Sequence, residues 1–587
     1  MNYKLRNQYS TNPQYALQEI LKDRGVQDIN AFLNSTPACE LNPYDLDNIQ
    51  KGIELLLHHL EANHKLLFIV DCDTDGYCSA SILWLYIKTI YPDAQLDFIV
   101  HDHKQHGLSD MIERIENNPV YDLIICCDSA SYDIEYHQRL GEIGMDCLCI
   151  DHHSLMYDND GNPMTNTPPN TVVINNQLSN NYQNKSLCGA GVVYKFCEAL
   201  DKHLQINLAH SFLDLVALGE IADVMDRTTS ETNYLMLEGL KHIKNEGFKT
   251  LLQAQTYVLG DRVWNPTPID IAFYIAPLIN AITRLGSIAE KENLFYCFID
   301  PNLPVPSTKR GAAATDTETA AESTARIGKN KKARQDDIRS KALDLIDFKI
   351  QKEDLMQNNI IFVELDPEDD IPQEMTGLVA MGVVSKYHKP CMLGRRNSED
   401  EIQGSTRSDN NFIGLPSLKQ FLEQSGLVEY VAGHANANGF GIYANKIDDL
   451  LHYANTHLSA ADFVNCYLVD YILDGAQDNY ELLYALAAHP EYFGNQIDEI
   501  KVVIKNISLQ HFFIMGTNKN CAKISYKNID YVIFKDLDFI EQAQQNRMSL
   551  LDIYGHVNLN YFNGKTSVQV FIDDYEFQDN NDNKYAF

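Results

Sequence analysis

Short apolar runs alternating with amphipathic stretches organise the first half of this chain. Leu66–Val70, Leu123–Cys127, Cys147–Ile150 and Val172–Ile174 are almost uninterrupted apolar segments of strand length. Such runs predict strands covered on both faces. Helical spacing between them, as in Ser79–Ile90, predicts a parallel α/β sheet from Leu66 to about Gly286. Residues 1–60 read as helical segments leading into the first strand. The stretch Pro301–Pro306 stops any preceding helix. The Ala/Thr/Lys/Arg-rich run Ala312–Arg339 that follows has few large apolar positions. It reads as a flexible linker or as a long solvated connecting helix; we favour a helix with a loose N-terminal part, continued by Ser340–Lys352. Residues 358–447 alternate strand and helix signals again, and 450–495 look helical. From residue 500 the period becomes two, as in Tyr531–Lys535, Leu551–Leu559 and Thr566–Ile572, with Asn563-Gly564 as a hairpin signal. The expected division is an α/β domain over 1–300 with a helical lead-in, a connector over 301–355, a smaller α/β domain over 356–448, a helical connector over 449–499 and a β-barrel over 500–587.

Composition narrows the function classes. A chain of 587 residues exceeds one core, and 45% hydrophobic with 22% charged residues excludes a largely disordered protein. No run of about 18 apolar residues appears, so no membrane span is expected. Met1–Gln18 lacks an apolar signal core, which points to the cytoplasm. Thirteen cysteines, an odd number without paired spacing and with Cys126 and Cys127 adjacent, predict reduced thiols rather than a disulfide framework or a zinc site. The net charge of −34 lacks the global basic footprint of a nucleic-acid binder. Any nucleic acid must enter a locally basic channel, with metal ions supplying positive charge.

Four segments carry candidate chemistry. Asp71-Cys72-Asp73-Thr74-Asp75-Gly76 follows an apolar strand and precedes a helix, so its alternating carboxylates splay toward different metals. Asp also caps helices well, and Asp75 fits that role alone. Asp128 ends the strand Leu123–Cys127, where a turn residue is the plainer alternative. Asp151-His152-His153 ends the strand Cys147–Ile150, and a flanking carboxylate can fix a ligating histidine's tautomer. Asp223 closes the apolar helical segment Leu213–Ala222, where a solvated helix end is the alternative. Together these residues supply oxygen and imidazole ligands for two adjacent divalent ions, the arrangement that activates water and clamps the oxygens of a phosphodiester.

In order and setting, the four segments resemble the motifs of the DHH phosphoesterase superfamily, and most closely those of its RecJ branch of single-strand-specific 5′→3′ DNA exonucleases. Asp71–Gly76 is similar to D-x-D-x-D-G, Cys126-Cys127-Asp128-Ser129-Ala130 to the strand-ending D-N-G motif, and Ile150–His153 contains the eponymous D-H-H. Leu187–Phe196 and Leu213–Val224 resemble RecJ-type stretches, and Ala276–Gly286 resembles P-R-x-N-A-x-G-R. In the second domain Gly377–Pro390 resembles the entry helix and strand of a DHH-associated domain, Gly404–Ser408 resembles G-S-x-R-S, and Gly433–Phe440 resembles G-G-H-x-x-A-x-G-F. Residues 500–587 look like an oligonucleotide-binding (OB) barrel. The resemblance covers about residues 60–580. It implies that Asp71, Asp73, Asp128, His152 and Asp223 hold two Mn²⁺ or Mg²⁺ ions, with Asp128 between them. It implies that Asp151 and His153 support the ions or contact phosphate. It implies that Asn280, Arg284, Ser405, Arg407, Gly433 and His434 bind substrate, with Gly439 letting a phosphate approach. The substrate would be single-stranded DNA, cut from its 5′ end to 5′-mononucleotides in repair, recombination or replication. A single-strand-binding protein or helicase would be the partner. Tyr526, Tyr531, Tyr554, Tyr561 and Phe562 are available as stacking platforms, although barrel core is the favoured role for most of them.

Departures cluster in the substrate-reading shell. Where the family carries R-x-x-E-G-Y-G-L, this chain has His101 through Leu108, with His101 at the Arg and His106 at the Tyr. Leu278 and Ala432 replace a family Arg and Gly. Two rivals stand beside the exonuclease reading: a DHH phosphodiesterase of short oligonucleotides or cyclic dinucleotides, which needs no OB barrel, and a non-catalytic replication scaffold, which would have lost ligands.

Overall fold

The computed structural model describes residues 1–578 except 103–104, 155, 157–166, 398, 465, 517, 548 and 563–564. The Asn563-Gly564 hairpin signal lies outside the described residues, although the strands on either side of it pair antiparallel.

The N-terminus departs from the expected lead-in. A three-residue strand, β1 (Tyr3–Leu5), pairs in parallel with Tyr467–Val469. The helix Pro13–Asp23 starts at an Asn12 cap with proline in its first turn. Its Ala16, Ile20 and Leu21 share a core with Leu483, Val502 and Ile504 of the C-terminal region. The buried Arg24 guanidinium meets Asp470 at 2.7 and 2.9 Å. Local periodicity predicts the helix but not its partner, because the covering surface is made by residues at the other end of the chain.

The first large core surrounds β2 (Lys65–Val70), β3 (Gln95–Val100), β4 (Leu123–Cys127), β5 (Asp146–Asp151) and β6 (Thr171–Asn175). The strands are all parallel, in the order β3-β2-β4-β5-β6. Each of β2, β4 and β5 feeds both faces: Phe68, Ile125 and Leu148 join one core, Ile69, Cys126 and Cys149 the other. Burial on both sides is why these strands read as continuous apolar runs. The order reverses between β2 and β4, and the carboxyl ends at such a reversal form the crevice where ligands bind in open α/β sheets. Helices Thr74–Ile90, Gly189–Leu204 and Leu213–Ala222 pack against one another on one face. The segment Pro268–Leu285 has the length and hydropathy of a membrane span, but Ile271, Ile275, Ile279 and Ile282 are buried in this core.

The connector is more structured than a loose helix start. Pro304–Pro306 pairs with Thr317–Thr319, and a Thr319/Glu322 capping box starts one helix over Ala320–Lys352. Its 33 residues span about 50 Å. Ala325 and Ile327 are buried in the first core, Ala342, Ile346 and Ile350 in the second. That second core holds a mixed sheet ordered 430–434, 437–443, 401–407, 391–396, 361–365. Residues 450–495 are only partly helical: Tyr471–Asp474 is the edge strand of a seven-stranded C-terminal sheet, whose hydrogen bonds outweigh the helical pattern.

Removing one member of a buried ion pair typically costs about 3–5 kcal/mol. Asp470→Ala is therefore expected to lower unfolding stability by about that amount and to open the Pro13–Asp23 helix to protease. Urea unfolding and mapping of limit digests check this; wild-type behaviour in both would show that the pair does not hold the N-terminal segment.

Candidate metal centre

The site lies at the carboxyl ends of β2, β4 and β5. Asp71 and Asp128 are the first residues beyond β2 and β4, and Asp151 is the last of β5. Asp128 and Ala130 have φ of 68° and 71°, a left-handed turn unusual for residues with a Cβ. Space dictates a glycine beside it: a Cβ on Gly189 would meet the Asp128 carboxylate at 2.6 Å.

Three Asp follow β2, and the structure separates their duties. Asp73, not Asp75, caps the helix Thr74–Ile90, accepting from the Gly76 N–H at 3.1 Å. Asp75 is buried and accepts from Gly189 N at 2.6 Å and Ala190 N at 3.0 Å, at the N-terminus of the helix Gly189–Leu204 where the dipole favours an anion. Asp71 points its carboxylate into the crevice.

Five of the expected residues converge. Asp71, Asp73 and Asp128 offer oxygens within 4.8 Å of one another. His152 Nε2 lies 3.2 Å from Asp128 Oδ1, 3.5 Å from Asp223 Oδ2 and 3.9 Å from Asp75 Oδ2. Asp128 thus faces both clusters. Asp71 Oδ1 and Asp128 Oδ1 are buried without a hydrogen bond, a donor set that fits two hard divalent cations sharing one carboxylate. Asp151 faces away from this pair. Its Oδ1 takes His153 Nδ1 at 2.7 Å and the His152 N–H at 2.7 Å, and its Oδ2 takes the Ser131 N–H at 3.2 Å. It orients the histidines.

The electrostatics record the crowding. Burial, then repulsion from Asp75 and Asp73, drives the Asp128 carboxyl far above its usual range. The same causes lift Asp223 to about 8. Burial also raises Asp71 and lowers His152. For Asp151 burial opposes ionisation, but the hydrogen bond and charge of His153 outweigh it and hold the carboxyl below the usual range. The same bond raises His153 to about 9.

Two histidines and a lysine belong to the site although spacing did not single them out as ligands. His106 Nδ1 lies 2.6 Å from Asp71 Oδ2, and this bond, then that to Cys72, lifts it to about 11. His101, tethered to Asp110 at 3.0 Å, places Nε2 3.8 Å from Asp71 Oδ1. Lys291 holds the backbone of His101 and Asp102 at 3.2 and 2.5 Å. The departures from the family pattern at His101 and His106 thus face Asp71, one of the candidate ligands.

Around the centre, Asp73, Asp75, Asp223, Asn280 and Arg284 line a cavity of about 180 Å³. Asn280 accepts from the Thr74 hydroxyl at 2.9 Å. Arg284 feels the charge of Asp73, and burial lowers its pKa. Burial and then the positive charge of Arg284 lower that of Arg407, whose Nη1 donates to the Thr406 carbonyl at 2.7 Å. Among the described residues neither has a carboxylate salt-bridge partner, an arrangement suited to a phosphate between them. Gly377 makes room for Arg407, because a Cβ there would meet its Nη2 at 2.3 Å. Ser405 pairs with Thr376 at 2.9 Å, away from the carboxylates. Gly433 adopts φ 129° against the Ala437 carbonyl. Gly439 sits in the adjoining strand, paired with Ser405 and Ala432. The side chains of His434 and Phe562 lie outside the described residues. In the C-terminal sheet Tyr531 is core and Tyr554 stacks on Tyr467 at 4.1 Å, so neither is a platform. Tyr561 is 71% exposed, and Tyr526 lines a groove with Tyr480, His511 and Lys527.

Comparison with known proteins agrees with this architecture. Residues 65–220 match the DHH family, N-terminal domain, and residues 469–574 match the RecJ OB domain. YorK of Bacillus subtilis (strain 168), an SPbeta prophage-derived protein provisionally named a single-strand DNA-specific exonuclease, is 34% identical over 97% of both chains. The single-stranded-DNA-specific exonuclease RecJ of Haemophilus influenzae is 25% identical over 76% of this chain and 75% of its own. The fold resembles RecJ of Thermus thermophilus in complex with Mn²⁺, with a TM-score of 0.69 and 19% identity over 95% of this chain and 75% of that one.

Without metal, native Asp223 keeps its proton up to about pH 8, whereas an unfolded Asp loses it near pH 4 (about 3.9). Between those values the native state binds more protons, so the stability of metal-free protein falls as pH rises. Mn²⁺ at about 100 times its Kd is expected to add about 2.7 kcal/mol. Its affinity should rise with pH, with protons released on binding. Titration calorimetry in buffers of different ionisation enthalpy checks this; proton uptake, or affinity independent of pH, contradicts it.

Proposed function

Because the chain belongs to the RecJ family of single-strand-DNA-specific exonucleases, we propose that it is a metal-dependent phosphodiesterase that degrades single-stranded DNA from the 5′ end to 5′-mononucleotides. The observation that carries this reading is the sharing of Asp128 between the Asp71–Asp73 and His152–Asp223 clusters, with Arg284 in the cavity beside them. Asp71, Asp73, Asp128, His152 and Asp223 would hold two Mn²⁺ or Mg²⁺ ions, which when bound supply a nucleophilic water and screen phosphate charge. Asp151 and Asp75 set the positions of these ligands, one through His152 and His153, the other through the helix Gly189–Leu204. Hydrolysis breaks the P–O3′ bond of the first linkage: the terminal nucleotide leaves with a 3′-hydroxyl and its own 5′-phosphate, and the shortened strand keeps the scissile phosphate as its new 5′ end. Arg284 and Arg407 neutralise that phosphate, and Asn280 fixes the wall between them and the carboxylates. Ser405, Gly433 and His434 lie on adjoining strands of the second sheet and would carry the strand's backbone. The Tyr526–Lys527 groove combines an aromatic face and a cation, as single-strand binding requires. Work on DNA places the enzyme in the cytoplasm, and a single-strand-binding protein or helicase is the partner class that would present such a strand.

The test uses long single strands labelled at either end, with a blunt duplex control and Mn²⁺. Early release of labelled mononucleotide from the 5′ label is expected. Early release from the 3′ label would reverse the polarity, and activity confined to dinucleotides would move the protein to the short-substrate branch. Asp128→Ala is expected to cost more than about 100-fold in rate, beyond the effect of losing a supporting partner at such centres; unchanged cleavage would remove Asp128 from the site. Arg407→Ala should lower kcat/KM roughly 10- to 150-fold, the worth of about 1.5–3 kcal/mol for a hydrogen bond to a charged group. A wild-type value would place the phosphate elsewhere.

A further inference from the structure

Two residues before the strand ends that present Asp128 and Asp151, three thiols meet on the face of the sheet covered by the helix Ile134–Glu142. Cys126 of β4 lies opposite Cys149 of β5 in the strand register. Cys147 shares the face of Cys149, since side chains alternate along a strand. All three are fully buried. Their sulfur atoms lie within 4.8 Å of one another, and Cys147 and Cys149 are 3.6 Å apart. The helix brings in His137, also fully buried, with Nε2 3.5 Å from Cys149 Sγ. Its Nδ1 makes no hydrogen bond of normal geometry, although the backbone of Ala130 acts as an acceptor toward the ring.

Tetrahedral zinc, at about 2.3 Å from sulfur and about 2.05 Å from nitrogen, sets S···S edges of about 3.8 Å and S···N edges of about 3.6 Å. The Cys147–Cys149 and Cys149–His137 separations of 3.6 and 3.5 Å are close to those edges; His137 lies outside the group of three sulfurs that reach one another within 4.8 Å and would move toward the ion to complete the set. Ordinary core packing leaves an imidazole among thiols with poor partners for a buried polar ring. We propose that Cys126, Cys147, Cys149 and His137 bind a structural zinc ion that joins β4, β5 and the helix Ile134–Glu142 behind the carboxylate centre. Three soft sulfur ligands and one imidazole select zinc over Mn²⁺ or Mg²⁺, and four protein ligands leave no open position for chemistry. Zinc displaces the thiol protons to solvent as it binds. The sequence expectation of no zinc site rests on an odd number of cysteines without paired spacing; here a C-x-C on one strand, a cysteine on the neighbouring strand and a helical histidine make the set.

The test is metal analysis of the full-length protein, grown with zinc, purified under reducing conditions and dialysed against EDTA. One zinc per chain is expected, retained in Asp223→Asn, released by an organomercurial and lost in Cys147→Ser. Protein produced with Co²⁺ should show a thiolate-to-cobalt charge-transfer band and the strong visible bands of tetrahedral cobalt. Should Cys147→Ser fail to fold, the wild-type measurements still decide. Wild type without retained metal, iron in place of zinc, or zinc lost in Asp223→Asn but kept in Cys147→Ser each overturns the proposal.

Discussion

The constraint on which this structure depends is the gathering of like charges at one end of a parallel sheet. Asp71, Asp75 and Asp128 are buried within reach of Asp73 and Asp223, and each raises the cost of ionising its neighbours. Every nearby element offsets part of that cost. The helix Gly189–Leu204 gives two N–H groups to Asp75, His106 meets Asp71, and His152 meets Asp128 and Asp223. Asp71 Oδ1 and Asp128 Oδ1 still lack a hydrogen bond, and that is the part that cations would complete.

Around this centre the chain closes on itself. The 33-residue helix anchors in both α/β cores and so links the domain that carries Arg284 to the domain that carries Arg407. At the other end, buried Arg227 donates to the Phe493 carbonyl, and Asn495 donates to the Glu220 carbonyl in the helix that ends at Asp223. The C-terminal region is thereby tied to the helix that delivers Asp223, and the N-terminal strand and helix are tied to the C-terminal region.

The histidines at 101 and 106 change how the centre is supported. Asp110, His101 and Asp71 form one line of contacts, and His106 approaches Asp71 from the other side. Read as substituted substrate contacts, they suggest a weakened shell. In the fold they surround the carboxylate that follows β2 and set its orientation.

The sequence alone determined the parallel sheet, the carboxylates at its strand ends and the family resemblance, because these depend on local patterns: apolar runs of strand length, Asp at their ends, and short motifs in fixed order. It also carried the C-terminal strands through their period of two. Tertiary structure decided what spacing cannot express. It gave the capping duty to Asp73 and sent Asp75 to another helix. It placed the N-terminal helix in the C-terminal core and turned Tyr531 and Tyr554 into packing residues. It drew His137 to Cys126, Cys147 and Cys149. In each case the deciding contact joins residues far apart in the chain, and strand order and packing, not periodicity, bring them together.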